Sequence, residues 1–180
     1  MVLEIEVKAL CDDLNRVEEH LRKMGALFVK EVQETDLYFD HPLRDFEKTD
    51  EALRIRIAQT ETGTELIEKS FITYKGQKID LYSKTREEIE IELSDADAAT
   101  QLLTRLGFRP KGDIKKVRRM YSLGEFTICL DNVDNVGSFV EVETRGELVE
   151  ELRDAALKIL ETLNLTDLER KSYLELKPLG

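Results

Sequence analysis

The sequence predicts an antiparallel α+β fold of about eight strands and three helices, organised as one domain over residues 1–180. Three observations carry this. First, acids and aliphatics alternate in Glu4-Ile5-Glu6-Val7-Lys8, and the pattern returns in Glu88-Ile89-Glu90-Ile91-Glu92 and Val140-Glu141-Val142-Glu143, which is the two-residue period of a strand with one charged and one apolar face. Second, each of these strands is followed by apolar residues at helical spacing. Third, the first two helices stop at Gly25 and Gly107 and lead through Phe28 and Phe108 to strands ending near Tyr38 and Tyr121, so the chain reads as internally duplicated and pseudo-symmetric.

In chain order, Leu3 to Ala9 is the first strand, with Glu4, Glu6 and Lys8 on one side. Asp12 or Asp13 starts a helix carrying Leu14, Val17, Leu21 and Met24, and Gly25 ends it. Residues 32–40 alternate around Leu37 and Phe39. Residues 41–46 form a loop with room for a short helix before Thr49 and Asp50. Leu53-Arg54-Ile55-Arg56-Ile57 puts both arginines on one face, and a Thr62-Gly63 turn returns the chain into 65–75, where Lys69, Phe71, Thr73 and Lys75 share a face. A mobile polar connection over 76–83 is expected next, then a strand over 84–93. Ser94 with Asp97 resembles a capping box for a helix carrying Ala98, Leu102, Leu103 and Leu106. Strands follow over 114–121, 126–131 and 139–143, separated by turns at Gly124 and at 135–137. The last helix carries Leu148, Leu152, Ala156, Ile159 and Leu163, and the tail over 171–176 reads as strand-like.

Composition narrows the function. The 38 acidic against 27 basic residues give a formal charge of -11, which argues against a nucleic-acid or anionic-membrane surface. No apolar run is long enough to span a membrane, and the first ten residues lack a signal-peptide pattern, so a cytoplasmic protein is expected. Cys11 and Cys129 have no metal or redox spacing and read as buried thiols, and His20 and His41 carry no motif.

The charged faces are sorted by sign. Acids occupy three strands (Glu4 and Glu6; Glu88 and Glu90; Glu141 and Glu143), and bases occupy others (Arg54 and Arg56; Lys75; Lys116 and Arg118). A sheet curled into a barrel brings both sets round one polar interior. Converging carboxylates without His or Cys favour Mg²⁺ or Mn²⁺, and the bases favour phosphate oxygens. Together these suit a triphosphate substrate, although no P-loop sequence is present. The alternative is a solvent-facing ladder of salt bridges. Lys84, Glu92, Lys115 and Arg119 are expected to be ordinary surface charges.

The ordered motifs resemble the CYTH superfamily, the triphosphate tunnel enzymes that include class IV adenylyl cyclases and thiamine triphosphatases. Glu4-Ile5-Glu6-Val7-Lys8 matches its ExExK signature. Arg54-Ile55-Arg56, Lys75 before Gly76, Arg86-Glu87-Glu88-Ile89-Glu90, Lys116-Val117-Arg118 with Tyr121, Asp131 and 137–143 extend the match over nearly the whole chain. The resemblance implies a single CYTH-like domain folded as an eight-stranded antiparallel tunnel with flanking helices. It implies that Glu4, Glu6, Glu141 and Glu143 hold a divalent metal, with Asp131 serving the metal or its water. Lys8, Arg54, Arg56, Lys75, Lys116 and Arg118 would then grip triphosphate, and Arg86, Glu88 and Glu90 would line the tunnel, with Arg86 among the phosphate contacts. The segment from Tyr38 to Arg54 resembles the cyclase branch found in archaea and bacteria. The implied activity is conversion of ATP to cyclic AMP and pyrophosphate; the alternatives are an inorganic or thiamine-type triphosphatase and a non-catalytic polyphosphate- or nucleotide-binding module. A homodimer is compatible with all three.

Overall fold

The computed structural model describes residues 2–80 and 82–178. Its elements run β1 (Leu3–Leu10), α1 (Leu14–Lys23), β2 (Leu27–Asp40), α2 (Phe46–Thr49), β3 (Ala52–Thr62), β4 (Glu65–Lys75), β5 (Glu88–Leu93), α3 (Ala96–Arg105), β6 (Arg109–Leu123), β7 (Phe126–Val133), β8 (Gly137–Gly146), α4 (Val149–Thr162) and α5 (Tyr173–Leu176). The eight strands form one antiparallel sheet in the order β1-β8-β7-β6-β2-β3-β4-β5.

That order is symmetric about the central β2–β6 pair. Reading outward gives β3, β4, β5 on one side and β7, β8, β1 on the other, so β1-α1-β2-β3-β4 and β5-α3-β6-β7-β8 are two copies of one unit. The duplication read from the two glycine-stopped helices is therefore a property of the topology. Gly25 (φ +84°) and Gly107 (φ +94°) both sit in left-handed backbone just past their helices, a conformation that a side chain disfavours.

The sheet curls into a half-barrel because its two faces have different partners. The aliphatic side of β1 and β8 packs under α1 and α4, where Val7, Ala9, Val17, Leu21, Val140, Val142, Ala156 and Leu160 form the main core. A second cluster of Phe39, Phe46, Leu53, Ile55 and Leu103 lies where α3 meets β3. The charged residues consequently face the concave side. The sheet's edges meet through the segment just before β5: Glu4 N donates to Arg86 O and Arg86 N to Glu4 O, each at 3.1 Å, and Lys84 N donates to Glu6 O at 2.8 Å.

Several local expectations need correcting. Residues 84–87 are not part of the fifth strand, which begins at Glu88; residues 84–86 bridge to β1 instead, and Glu87 O accepts from Gly76 N. Asp95, rather than Ser94, caps α3, its carboxylate accepting from Ala98 N at 2.8 Å. Leu148 is exposed ahead of α4, whose buried residues are Ala156 and Leu160. The tail is a short helix, α5, closed by a capping box between Ser172 and Glu175. The connection over 76–83, in which Leu81 lies outside the described residues, is tethered at several points. Asp50 accepts from Lys78 N and Nζ at 3.2 and 2.7 Å, and Asp80 accepts from Ser83 N at 2.7 Å and Arg153 Nη1 at 2.8 Å. Among the described residues no helix is long and apolar enough to cross a membrane.

Candidate functional site

Strand alternation aims every second residue of the curled sheet at a cavity of about 1080 Å³. Glu4, Glu6, Arg54, Arg56, Lys75, Arg86, Glu88, Glu90, Lys116, Arg118, Glu141 and Glu143 all line it. Lys8 and Asp131 are buried directly beside it, each in contact with Tyr173. The sequence-derived site residues are thus brought together in one tunnel, except that Glu90 stands at its exposed rim, where it accepts from Thr73 Oγ1 at 2.9 Å.

Three groups of charge fill the interior. On β1 and β8, Glu6 lies opposite Glu143 and Lys8 opposite Glu141 in the register. Lys75 Nζ reaches both Glu4 oxygens at 2.7 and 2.9 Å and also pairs with Glu88. Lys84 Nζ donates to Glu6 Oε1 at 2.6 Å. Lys84 is therefore no surface charge: it is 5% exposed and 3.7 Å from Glu141. Its sequence position hid this, because the 84–86 bridge turns it inward. Glu92 and Lys115 are exposed as expected, and Arg119 pairs with Glu18 on α1.

The second group centres on two acids not singled out from the sequence, Glu34 and Asp36 of β2. Asp36 accepts from Arg56 Nε and Nη2 at 2.6 and 2.8 Å and from Lys116 Nζ at 3.1 Å, with Arg54 at 3.5 Å. Glu34 pairs with Lys116 at 2.9 Å and Arg56 at 3.2 Å. The signal was the alternation Glu34, Asp36, Tyr38 on the face opposite Leu37 and Phe39. In the third group Arg118 donates to both Asp131 oxygens at 2.7 and 2.6 Å and to Glu141 at 2.5 Å, while Tyr173 Oη donates to Asp131 at 2.7 Å.

Electrostatics follow from this crowding. Burial would raise the Glu34 carboxyl, but Arg56 and Lys116 overcome it and hold it down at about 2. Asp36 and Glu141 are likewise held well below the usual range against desolvation, by Arg56 and Lys116 in one case and Arg118 and Lys84 in the other. Glu143 behaves oppositely: desolvation, opposed by Arg118 and reinforced by Glu4, Glu141 and Glu6, pushes it up to about 7. Lys8 is lowered to about 7 by burial and then by Lys84; its Nζ donates to Lys171 O at 2.6 Å and lies 4.0 Å from the Tyr173 ring centre.

Two features indicate what the tunnel can accept. The Nε atoms of Arg54 and Arg86 are buried without a hydrogen-bond partner, which leaves guanidinium donors open to an anion. Carboxylates concentrate at Glu4, Glu6, Glu141 and Glu143, an all-oxygen donor set that fits a hard divalent cation. Among the described residues no three acids are grouped as a metal cage, because Lys75, Lys84 and Arg118 hold Glu4, Glu6 and Glu141. Asp131 is also committed, with both oxygens taken by Arg118 and Tyr173.

Comparison with known proteins agrees with this geometry. A provisionally named adenylate cyclase of Methanocaldococcus jannaschii is 40% identical over 183 residues, covering 99% of this chain and 100% of the relative. Adenylate cyclase CyaB of Aeromonas hydrophila is 28% identical over 94% of this chain and 86% of its own. Among solved structures, the PH1819 protein of Pyrococcus horikoshii superposes with a TM-score of 0.87 at 41% identity, covering 96% of this chain and 97% of that one. The CYTH domain model matches residues 3–175, and the chain belongs to the CYTH family, on its class IV adenylyl cyclase-like branch.

Proposed function

We propose that this protein is a divalent-metal-dependent class IV adenylyl cyclase, converting ATP to cyclic AMP and pyrophosphate. The observation that carries the triphosphate reading is the pair of buried arginines with open Nε donors, Arg54 and Arg86, in a tunnel already rich in lysine and arginine. A buried guanidinium without its full set of acceptors is costly, and phosphate oxygens supply them. Arg56, Lys75, Lys84, Lys116 and Arg118 pair with carboxylates in the free protein, so they can exchange those partners for phosphate with little change of position.

Glu4, Glu6, Glu141 and Glu143 are the residues that would hold the metal, and the raised Glu143 carboxyl is consistent with a place where added positive charge is favourable. A bound divalent ion would neutralise charge developing on the phosphoryl oxygens. Arg54, Arg86 and Lys116 would orient the phosphate chain and stabilise the same charge. Asp131, bonded to Arg118, would position that guanidinium rather than ligate metal. In the cyclisation the ribose 3′-hydroxyl gives up its proton to water and its oxygen bonds to the α-phosphorus, the bond from that phosphorus to the oxygen bridging to the β-phosphorus breaks, and pyrophosphate leaves with the electron pair.

A second reading, hydrolysis of a terminal phosphate from a triphosphate, is favoured by the cations that line the tunnel along its length, which address the phosphate chain alone. The test is to incubate the protein with ATP, and separately with tripolyphosphate, in Mg²⁺ or Mn²⁺. Cyclic AMP with stoichiometric pyrophosphate is the expected result; phosphate release from tripolyphosphate without cyclic AMP selects the hydrolase, and unchanged ligands bound with metal select the binding module. Glu4→Gln or Glu6→Gln is expected to reduce turnover at least about 100-fold with the fold retained, and full activity in either variant removes the metal role from β1.

A further inference from the structure

We propose that Phe71 and Met120, with Ala58, form a nucleobase shelf at one mouth of the tunnel and make the site selective for nucleoside triphosphates over inorganic tripolyphosphate. This rests on the triphosphate reading of the tunnel and adds to it where the organic end of the substrate lies.

The shelf follows from the stagger of the sheet. In a curled sheet the strands tilt, so residues at one height lie on a diagonal across the register. The ion pairs record that diagonal: Arg56 contacts Glu34 at 3.2 Å, although the register partner of Glu34 on β3 is Ala58. Along the strands β6, β2, β3 and β4, the charged tier therefore reads Arg118, Glu34, Arg56 and Thr73. Two residues further along each strand, on the same inward face, stand Met120, Val32, Ala58 and Phe71. Four adjacent strands thus change together from a polar tier to an apolar one. Val32 is 1% exposed and forms the floor, while Ala58, Phe71 and Met120 remain partly open and line the cavity. Diagonal neighbours on a sheet face are within reach of aromatic and long side chains.

An apolar arc directly beside the charged tier is unsuited to phosphate. A planar heteroaromatic ring matches it, since Phe offers a stacking face and Met a polarisable, adaptable contact. The spacing also fits. Two strand residues advance about 6.7 Å, which sets a base on the shelf one ribose away from Arg56 and Arg118. Lys30, opposite Met120 in the register, and Thr127, one inward position further along β7 than the partner of Met120, also line the cavity and supply polar groups for the ring edge and the sugar.

The opposite end is not equivalent. There the inward residues Ile114, Val133 and Phe139 are already packed by Tyr173, with Tyr173 Oη bonded to Asp131 and Lys8 Nζ bonded to Lys171 O. The rim beside α2 is ion-paired, Lys111 with Asp40 at 3.1 Å and Lys78 with Asp50 at 2.7 Å. The apolar residues lining that end are already engaged: Phe39, Phe46 and Leu53 are nearly fully buried in the cluster under α3, and Tyr38 and Leu174 pack against the Tyr173 cluster.

Calorimetric binding of ATP and of tripolyphosphate, each with Ca²⁺ and with Mg²⁺, to wild type, Phe71→Ser, Phe71→Leu and Met120→Ser tests this. The expected result is that Phe71→Ser and Met120→Ser weaken ATP about tenfold or more and leave tripolyphosphate within about twofold, with Phe71→Leu falling between. Equal weakening of both ligands, or no change in either, overturns the shelf while leaving the triphosphate site standing. Failure of the wild-type protein to bind either ligand overturns the triphosphate reading itself, and the shelf with it. Far-UV circular dichroism of each variant separates loss of binding from loss of fold.

Discussion

Glu143 shows how a single residue registers the tension in this tunnel. Its neighbours Glu4, Glu6 and Glu141 are each ion-paired with a lysine or arginine, but among the described residues Glu143 is not, and burial, only partly offset by Arg118, pushes its carboxyl up to about 7. Because a glutamate in the unfolded chain titrates near 4.3, the folded state retains a proton between these values that the unfolded state has lost. The contribution of Glu143 to stability therefore falls as pH rises from about 4.5 to about 7. Lys8 has the opposite sense: lowered to about 7 by burial and Lys84, it makes stability rise as pH climbs from about 7 towards 10.5. In chelator, with no metal to compensate the acids, Glu143→Gln is expected to remove the acid-side fall. Its stability relative to wild type should grow by about 1–2 kcal/mol between pH 5 and 7, a value reduced because the half-buried side chain lines the open cavity. Urea midpoints across that range measure it; a difference independent of pH would show that Glu143 does not titrate there. The same residue scale shows why Glu34 and Asp36 escaped the sequence reading. The repeated Glu-x-Glu next to aliphatics is the stronger pattern, whereas these two acids precede Leu37 and Phe39 on a strand whose apolar side is more prominent.

Elements were legible where periodicity was long and punctuated. β1, α1, β3 and the β3–β4 hairpin were evident because alternation or a glycine stop is strong in each, and the two helix-ending glycines disclosed the duplication. Boundaries were less so: β2 and β6 extend to Leu27 and Arg109, since their ends pair with each other, and pairing is not written in either strand alone. α5 was misread as a strand because a single turn has no period; its stability comes from the Ser172–Glu175 capping box and from burying Tyr173. The glycine stops allow a quantitative comparison. Gly25→Ala and Gly107→Ala both force a Cβ into left-handed backbone, at about 1 kcal/mol or somewhat more. At Gly25 the new atom meets nothing within 4 Å, whereas at Gly107 it lies 3.4 Å from Pro42 Cβ. Both variants should be destabilised, Gly107→Ala more so. Thermal or urea melts giving equal losses would mean that backbone strain alone accounts for both positions.

At the scale of the molecule, the tunnel exists because a symmetric sheet is closed at its weakest place. The centre, β2 against β6, pairs from Leu27–Ser122 to Asp40–Arg109. The seam between β1 and residues 84–86 has three backbone hydrogen bonds, Glu4 N to Arg86 O, Arg86 N to Glu4 O and Lys84 N to Glu6 O. Charges from both sides cross that seam: Lys75 of β4 binds Glu4 of β1, and Lys84 binds Glu6. The sequence announced the charges on each strand but not the seam, because the closing contact is made by residues outside any regular element. A site built across a short seam couples ligand binding to closure, since phosphate and metal would bridge Arg86 and Lys75 on one side to Glu4 and Glu6 on the other. Hydrogen exchange reads this directly. Without ligand, the amides of Glu4, Lys84 and Arg86 should exchange much faster than central amides of β2 and β6. ATP or tripolyphosphate with Mg²⁺ should slow the seam amides by at least about tenfold beyond any change at the centre. Uniform protection across both regions, with or without ligand, would mean that the tunnel is a rigid barrel whose closure does not depend on what it holds.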